Sequence, residues 1–244
     1  MENKLNSLTG KKVIILGGST GIGFSTAELA AREGAEVIIV SSNQQRIDAA
    51  LSKLPATATG HVVDLSIHQN ISDFFDTIDT FDHLVYTAGE NLKLNVIAET
   101  DIALAQQFFN IRYWSAFAAV KYASRRINAG GSITLTSGNA GARPSAGWGV
   151  ASSICGCVEG FTRAMAVELA PIRVNCVTPG VVKTNLWDGI PEADRIAMYI
   201  NFSKTLLVGR VADADEIALT YVYLMKQQYV TGQSLVVDGG GVLV

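Results

Sequence analysis

Three glycines, Gly17, Gly21 and Gly23, stand in the run GGSTGIG directly after the apolar segment KVIIL (12–16). Glycine suits such a turn because the chain can take positive φ there and because its backbone N–H groups can approach a phosphate closely. A helix that opens at the last glycines adds free N–H donors and the positive end of its dipole. The order strand, turn, helix therefore points to a dinucleotide pyrophosphate cradled by Gly17, Ser19, Thr20, Gly21, Ile22 and Gly23. A second group stands in VIIVSSNQQR (37–46). An acid at the end of that strand would bind the adenosine ribose and favour NAD(H). Ser41 and Ser42 stand there instead, with Asn43 and Arg46 beyond, so nothing repels a 2′-phosphate. Although Thr20 replaces the basic residue often found between the glycines, the chemistry favours NADP(H) over NAD(H).

Other reactive side chains are sparse. The three cysteines are Cys155, Cys157 and Cys176, an odd count with no CxxC spacing. Cys-x-Cys alone does not make a tetrahedral site, so no metal is expected. Ser152, Ser153 and Cys155 could donate a proton or hydrogen bond, against the simpler reading of a helix start and a small core residue. His61, His68 and His83 are scattered near element ends and are expected to be solvated. Trp148 and Trp187 are expected to pack, or to wall a planar substrate. Glu90 and Asn91 follow a strand at the edge where ligands bind in open parallel sheets.

Positioning these groups requires a sheet. The segments KVIILG (12–17), EVIIVS (36–41), GHVVDL (60–65), HLVYTA (83–88), SITLTS (132–137), RVNCVTP (173–179) and SLVVDG (234–239) are mostly unbroken apolar, β-branched runs. Such runs suit strands buried on both faces. The spacers Gly21–Glu33, Asn43–Lys53, Gln69–Ile78, Ile102–Asn128, Ala151–Leu169 and Asp213–Gln227 are long enough for crossover helices. Alternation of this kind predicts an α/β fold: one doubly wound parallel sheet, a Rossmann fold of about seven strands flanked by helices, over residues 1–244. The less periodic segment 183–209 reads as a substrate loop or lid.

Composition narrows the function classes. With 48% hydrophobic and 17% charged residues, the chain can bury a large core. A net charge of −3 without a basic run gives no footprint for nucleic acid. The polar start MENKLNSLTGKK does not read as a secretory signal, and no apolar run is long enough to span a bilayer. A reduced, cytoplasmic setting and a small-molecule substrate are expected.

Over nearly its whole length the chain resembles the short-chain dehydrogenase/reductase family. Besides the glycine turn, Asp64 in VVDLS matches the aspartate that contacts adenine, with Leu65 after it. TAG (87–89) stands at the NAG motif, Tyr86 and Thr87 replacing two asparagines and Ala88 and Gly89 being kept. Asn110 in FFNIRYW matches the helix asparagine of the proton relay. Pro179, Gly180, Val182 and Thr184 in TPGVVKT match the loop that grips the nicotinamide carboxamide. YVTGQSLVVDGG (229–240) matches the C-terminal strand signature. The resemblance implies a homotetramer or homodimer.

It also implies a Tyr-x-x-x-Lys pair, and this chain has none. Between Arg143 and Thr162 there is neither tyrosine nor lysine. Aligning VEGFTR (158–163) places the tyrosine position at Ala151 and the lysine position at Cys155, four apart and so on one helix face. The serine position falls at Gly138, beside Ser137. The catalytic candidates that remain are Asn110, Ser137, Ser153 and Cys155. The expected function is an NADP(H)-binding oxidoreductase with a non-standard proton path. An iminium acceptor needs hydride and no proton, and an activated alkene could have its anion held by hydroxyl and N–H donors. The alternatives are a catalytically degenerate member acting as an NADP(H)-binding regulatory protein, and a non-redox enzyme on the same fold.

Overall fold

In a computed structural model, residues 7–91 and 94–244 are described. The strands are β1 (Lys12–Leu16), β2 (Glu36–Ser41), β3 (Thr59–Val62), β4 (Phe81–Tyr86), β5 (Ile127–Thr136), β6 (Arg173–Pro179), β7 (Val182–Lys183), β8 (Ala212–Asp213) and β9 (Ser234–Val237). The helices are α1 (Gly21–Arg32), α2 (Gln44–Leu51), α3 (His68–Thr77), α4 (Ile102–Phe109), α5 (Ser115–Ala123), α6 (Gly149–Glu168), α7 (Glu192–Thr205) and α8 (Ala214–Lys226). Seven strands form one sheet in the order β3-β2-β1-β4-β5-β6-β9, and every pairing is parallel.

Strand alternation explains both cores. Val13 and Ile15 pack on one face with α1, α2 and α8, through Ala27, Ala30, Ile47 and Tyr221. Ile14 and Leu16 pack on the other with α3, α5 and α6, through Phe75, Ala119 and Val158. All four β1 residues are fully buried, as the unbroken apolar run requires. The strand order reverses between β1 and β4, so the crevice at their carboxyl ends is where this architecture binds ligands.

Two expectations differ from the structure. The stretch 102–128 is not one helix. A π-helical turn, Asn110–Trp114, separates α4 from α5, and β5 already begins at Ile127. β5 starts early because Phe81 N–H bonds the Arg126 carbonyl at 3.1 Å, after which the register shifts between Phe81↔Ile127 and His83↔Ser132. Gly131 makes that irregularity possible, since a Cβ there would lie 2.2 Å from the Asp82 carbonyl oxygen. The segment 183–209, read as a substrate loop or lid, holds the end of β7 and all of α7. β7 pairs with β8, and α7 carries no buried residue. Finally, His83 is buried, with Nδ1 at 2.9 Å from Ser132 Oγ. His61 packs edge-on against Phe74, and of the three only His68 is exposed. Among the described residues no helix is long and apolar enough to cross a membrane.

Candidate functional site

The glycine turn places each glycine for a separate reason. Gly17 takes φ +90°, and a Cβ there would sit 2.6 Å from Ala88 N. Gly23 lies at the start of α1, where a Cβ would fall 2.2 Å from the Gly17 carbonyl oxygen and 2.4 Å from Thr87 Oγ1. Both let the turn close onto the end of β4. Thr87 ties the same junction, its N–H bonding the Leu16 carbonyl at 2.8 Å and its hydroxyl lying 3.2 Å from that oxygen. Gly21 differs. It takes φ +54°, and its nearest neighbour would be the Thr184 side chain at 3.4 Å. It therefore borders the crevice, opposite Thr184. Ser19 and Thr20 are half-buried beside it, and Ile22 packs against the core. Thr20, the N-cap of α1, makes no side-chain capping bond, and no acid stands in the first turn. The helix thus keeps N–H donors and an unopposed dipole end for an anion. This cradle fits a pyrophosphate.

At the end of β2, Ser41 is half-buried and Ser42 exposed. Asn43 caps α2, its side-chain oxygen accepting from Arg46 N–H at 3.0 Å. The Arg46 guanidinium is exposed and makes no ion pair among the described residues. Asp64 accepts from Ser66 N–H and Oγ through Oδ1 alone, at 2.9 and 2.7 Å. Leu65 points into the core.

On the far side of the crevice, Pro179 ends β6. A Cβ on Gly180 would lie 2.8 Å from Asp238 Cβ, so only glycine passes there. Val182 is buried, and its carbonyl accepts from Trp187 Nε1 at 3.0 Å. Trp187 is thereby a packing residue, while Trp148 is half-buried at the start of α6. Thr184 caps the next turn, accepting from Leu186 N–H at 3.3 Å.

α6 presents Ala151, Cys155 and Glu159 at four-residue spacing. Gly138 and Gly141 pack against this row: a Cβ on Gly138 would sit 3.3 Å from Cys155 Sγ, and one on Gly141 3.0 Å from Cys155 Cβ. Cys155 is buried, and burial pushes its thiol above the usual range despite the Ser137 hydroxyl and the Gly141 N–H beside it. It is a neutral thiol. Ser137 donates to Glu159 Oε1 at 3.0 Å, with the Cys155 carbonyl at 3.4 Å. Ser153 is exposed and bonds back to the Gly149 carbonyl at 2.8 Å. The hydroxyls of Ser137 and Ser153 are therefore committed to the protein. Tyr86 does not stand in for an acid: it is buried, donates to the Ile111 carbonyl, and has its pKa pushed up by burial.

The π-helical turn brings two more groups. Asn110 donates to the Ser66 carbonyl at 2.9 Å and lies 3.1 Å from His68 Nε2 through its oxygen, so it ties α4 to the loop before α3. Arg112, which sequence reasoning did not single out, lies against Gly89. A Cβ on that glycine would be 2.7 Å from Arg112 Nη1 and 2.8 Å from Cζ. Its Nη2 donates to the Glu90 carbonyl, and its Nε is buried without a partner. Glu159 was missed as well. Spacing alone could have shown it, as the next step of the row from Ala151 and Cys155. The placement of Arg112 depends on the π turn, which residue periodicity does not reveal.

Comparisons with known proteins converge. The family described as SDR-like Rossmann domain matches residues 3–244. The short-chain dehydrogenase/reductase malC of Malbranchea aurantiaca is 32% identical, covering 97% of this chain and 96% of that protein. The solved structure of MalC Reductase/Diels-Alderase from that organism superposes with a TM-score of 0.90 at 31% identity, covering 99% of this chain and all of that one. A small-chain dehydrogenase solved in complex with NADPH gives a TM-score of 0.86 at 33% identity over 96% of this chain and all of that one.

Proposed function

Since the chain belongs to the short-chain dehydrogenase/reductase family and is a nicotinamide-dependent oxidoreductase of that type, we propose that it uses NADPH to deliver hydride to an acceptor that needs no tyrosine acid, an iminium or an activated alkene. The observation that carries this is α6. Its row reads Ala151, Cys155, Glu159, and among the described residues no tyrosine or lysine takes the place of the first two. A ketone must gain a proton as it gains hydride, and general acid help is worth roughly 10²–10⁴-fold. An iminium becomes neutral on hydride alone. The relative named as a Reductase/Diels-Alderase supports the reductive half of this reading.

The cofactor-holding half would be Gly17, Ser19, Thr20, Gly21, Ile22 and Gly23 for the pyrophosphate. Asp64 and Leu65 would border the adenine, and Ala88, Gly89, Pro179, Gly180, Val182 and Thr184 the nicotinamide side. When bound, NADPH supplies the hydride; the chain's own residues hold and aim it. Preference for NADPH follows from Ser41, Ser42, Asn43 and the unpaired Arg46 where an acid would favour NADH. Asn110 acts through the position of the π turn. Ser137, Ser153 and Cys155, committed or buried as they are, leave Glu159 as the acid nearest the row. Assembly as a homotetramer or homodimer belongs to the same reading, supported by the exposed aromatic side chains of Trp114 and Phe117. The test is rapid-mixing oxidation of NADPH against ketones, iminiums and enones. Tight binding without turnover on any class would leave the regulatory alternative.

A further inference from the structure

On the nicotinamide-binding reading above, we propose that Arg112 is a cofactor-binding residue, the cation of this site, donating to the ribose on the nicotinamide half. The strand order carries the argument. β2 and β3 lie on one side of β1, and β4, β5 and β6 on the other. The Ser41–Arg46 end of β2 takes the adenosine side, so the nicotinamide half must lie over β4 and β5. Arg112 sits there. Its guanidinium lies against Gly89, an exposed glycine just past β4, in the space that a Cβ at 89 would take.

A guanidinium has five N–H donors. Among the described residues Arg112 makes a single hydrogen bond, to the Glu90 carbonyl, while Nε is enclosed and unpaired. The charged and titratable groups acting on it are Cys155 on α6, Tyr86 on β4 and Glu90 beyond β4. Burial keeps the first two neutral, so Glu90 is the acid among them. A half-buried cation with an enclosed, unpaired Nε is expensive unless it serves a ligand rich in acceptors. Ribose hydroxyls supply such acceptors. The residue also lies within a π-helical turn, Asn110–Trp114, a local departure from the α-helix of a kind often found at functional sites. Positive charge has thus moved from α6, where Cys155 stands, to the α4–α5 junction.

Fluorescence titration of NADPH and melting of the ligand-free protein test this together. Arg112→Gln is expected to raise the NADPH Kd about tenfold or more while the ligand-free protein still folds. Cys155→Lys in the otherwise unchanged chain sets an ammonium beside the guanidinium, so it is expected to lower the melting temperature. Combining the two is expected to recover both Kd and melting temperature toward the parent values. Should Arg112→Gln not fold, Arg112→Lys decides: it keeps charge but loses the fork, and is expected to raise Kd several-fold. A parent chain that binds NADPH alongside Arg112→Gln or Arg112→Lys variants that bind equally well overturns the role of Arg112 alone. Additive losses in the double variant overturn it too. A parent chain that does not bind NADPH overturns the functional reading as well.

Discussion

At the scale of single residues, the proposal rests on α6. Ala151 cannot donate a proton, and Cys155 is held neutral by burial. If the missing acid is what excludes carbonyl substrates, then Ala151→Tyr should raise NADPH-dependent ketone reduction by about 10²-fold. A steady-state assay with a simple ketone checks this, and an unchanged rate would mean that the acid is not the barrier. A second residue governs stability. His83 is buried, and burial lowers its pKa from 6.5 to about 4, outweighing the attraction of Asp82. The unfolded chain therefore binds a proton between pH 6.5 and 4 that the folded chain refuses. This part of the stability is present above pH 6.5 and is lost as pH falls toward 4, by about 3 kcal/mol in all. Denaturant titrations from pH 7 to 4 should show that loss, and His83→Asn should flatten it.

At the scale of elements, the glycine turn divides into scaffold and site. Gly17→Ala puts a Cβ against the Ala88 backbone and demands positive φ of a residue that resists it, so a loss of about 2–4 kcal/mol is expected. Gly21→Ala faces the crevice, with Thr184 at van der Waals distance. Its cost to folding should stay near 1–2 kcal/mol, with most of the damage in NADPH affinity. Thermal melts and NADPH titrations of the two variants separate these outcomes, and equal effects on both readouts would undo the distinction. The same contrast shows what was legible in the sequence. β2 and β6 begin and end at the expected residues, because apolar runs bounded by polar ones mark strands buried on both faces. The early start of β5 was not legible, because its first residues pair across an irregular register that no run of side chains announces. The π turn was hidden for a similar reason: 110–114 holds no glycine or proline to mark a break, and the inserted residue leaves no mark in the pattern. Arg112, the group it aims, was hidden with it.

At the scale of the whole molecule, the sheet separates two tasks. The β1–α1 turn and the end of β2 form one side of the crevice, and their residues read as a cofactor cradle from sequence and structure alike. β4, β5 and the start of α6 form the other, where the family resemblance puts Gly138, Ala151 and Cys155 at the proton-handling positions. On the proposed reading, one half of the site is kept and the other rebuilt on a scaffold of seven parallel strands. The most direct measurement is single-turnover oxidation of bound NADPH by a matched iminium and ketone, at fixed pH and saturating acceptor. The account predicts that the iminium oxidises NADPH at least about 10²-fold faster than the ketone. A ketone reduced as fast as the iminium, or tight NADPH binding with neither acceptor reduced, would contradict it.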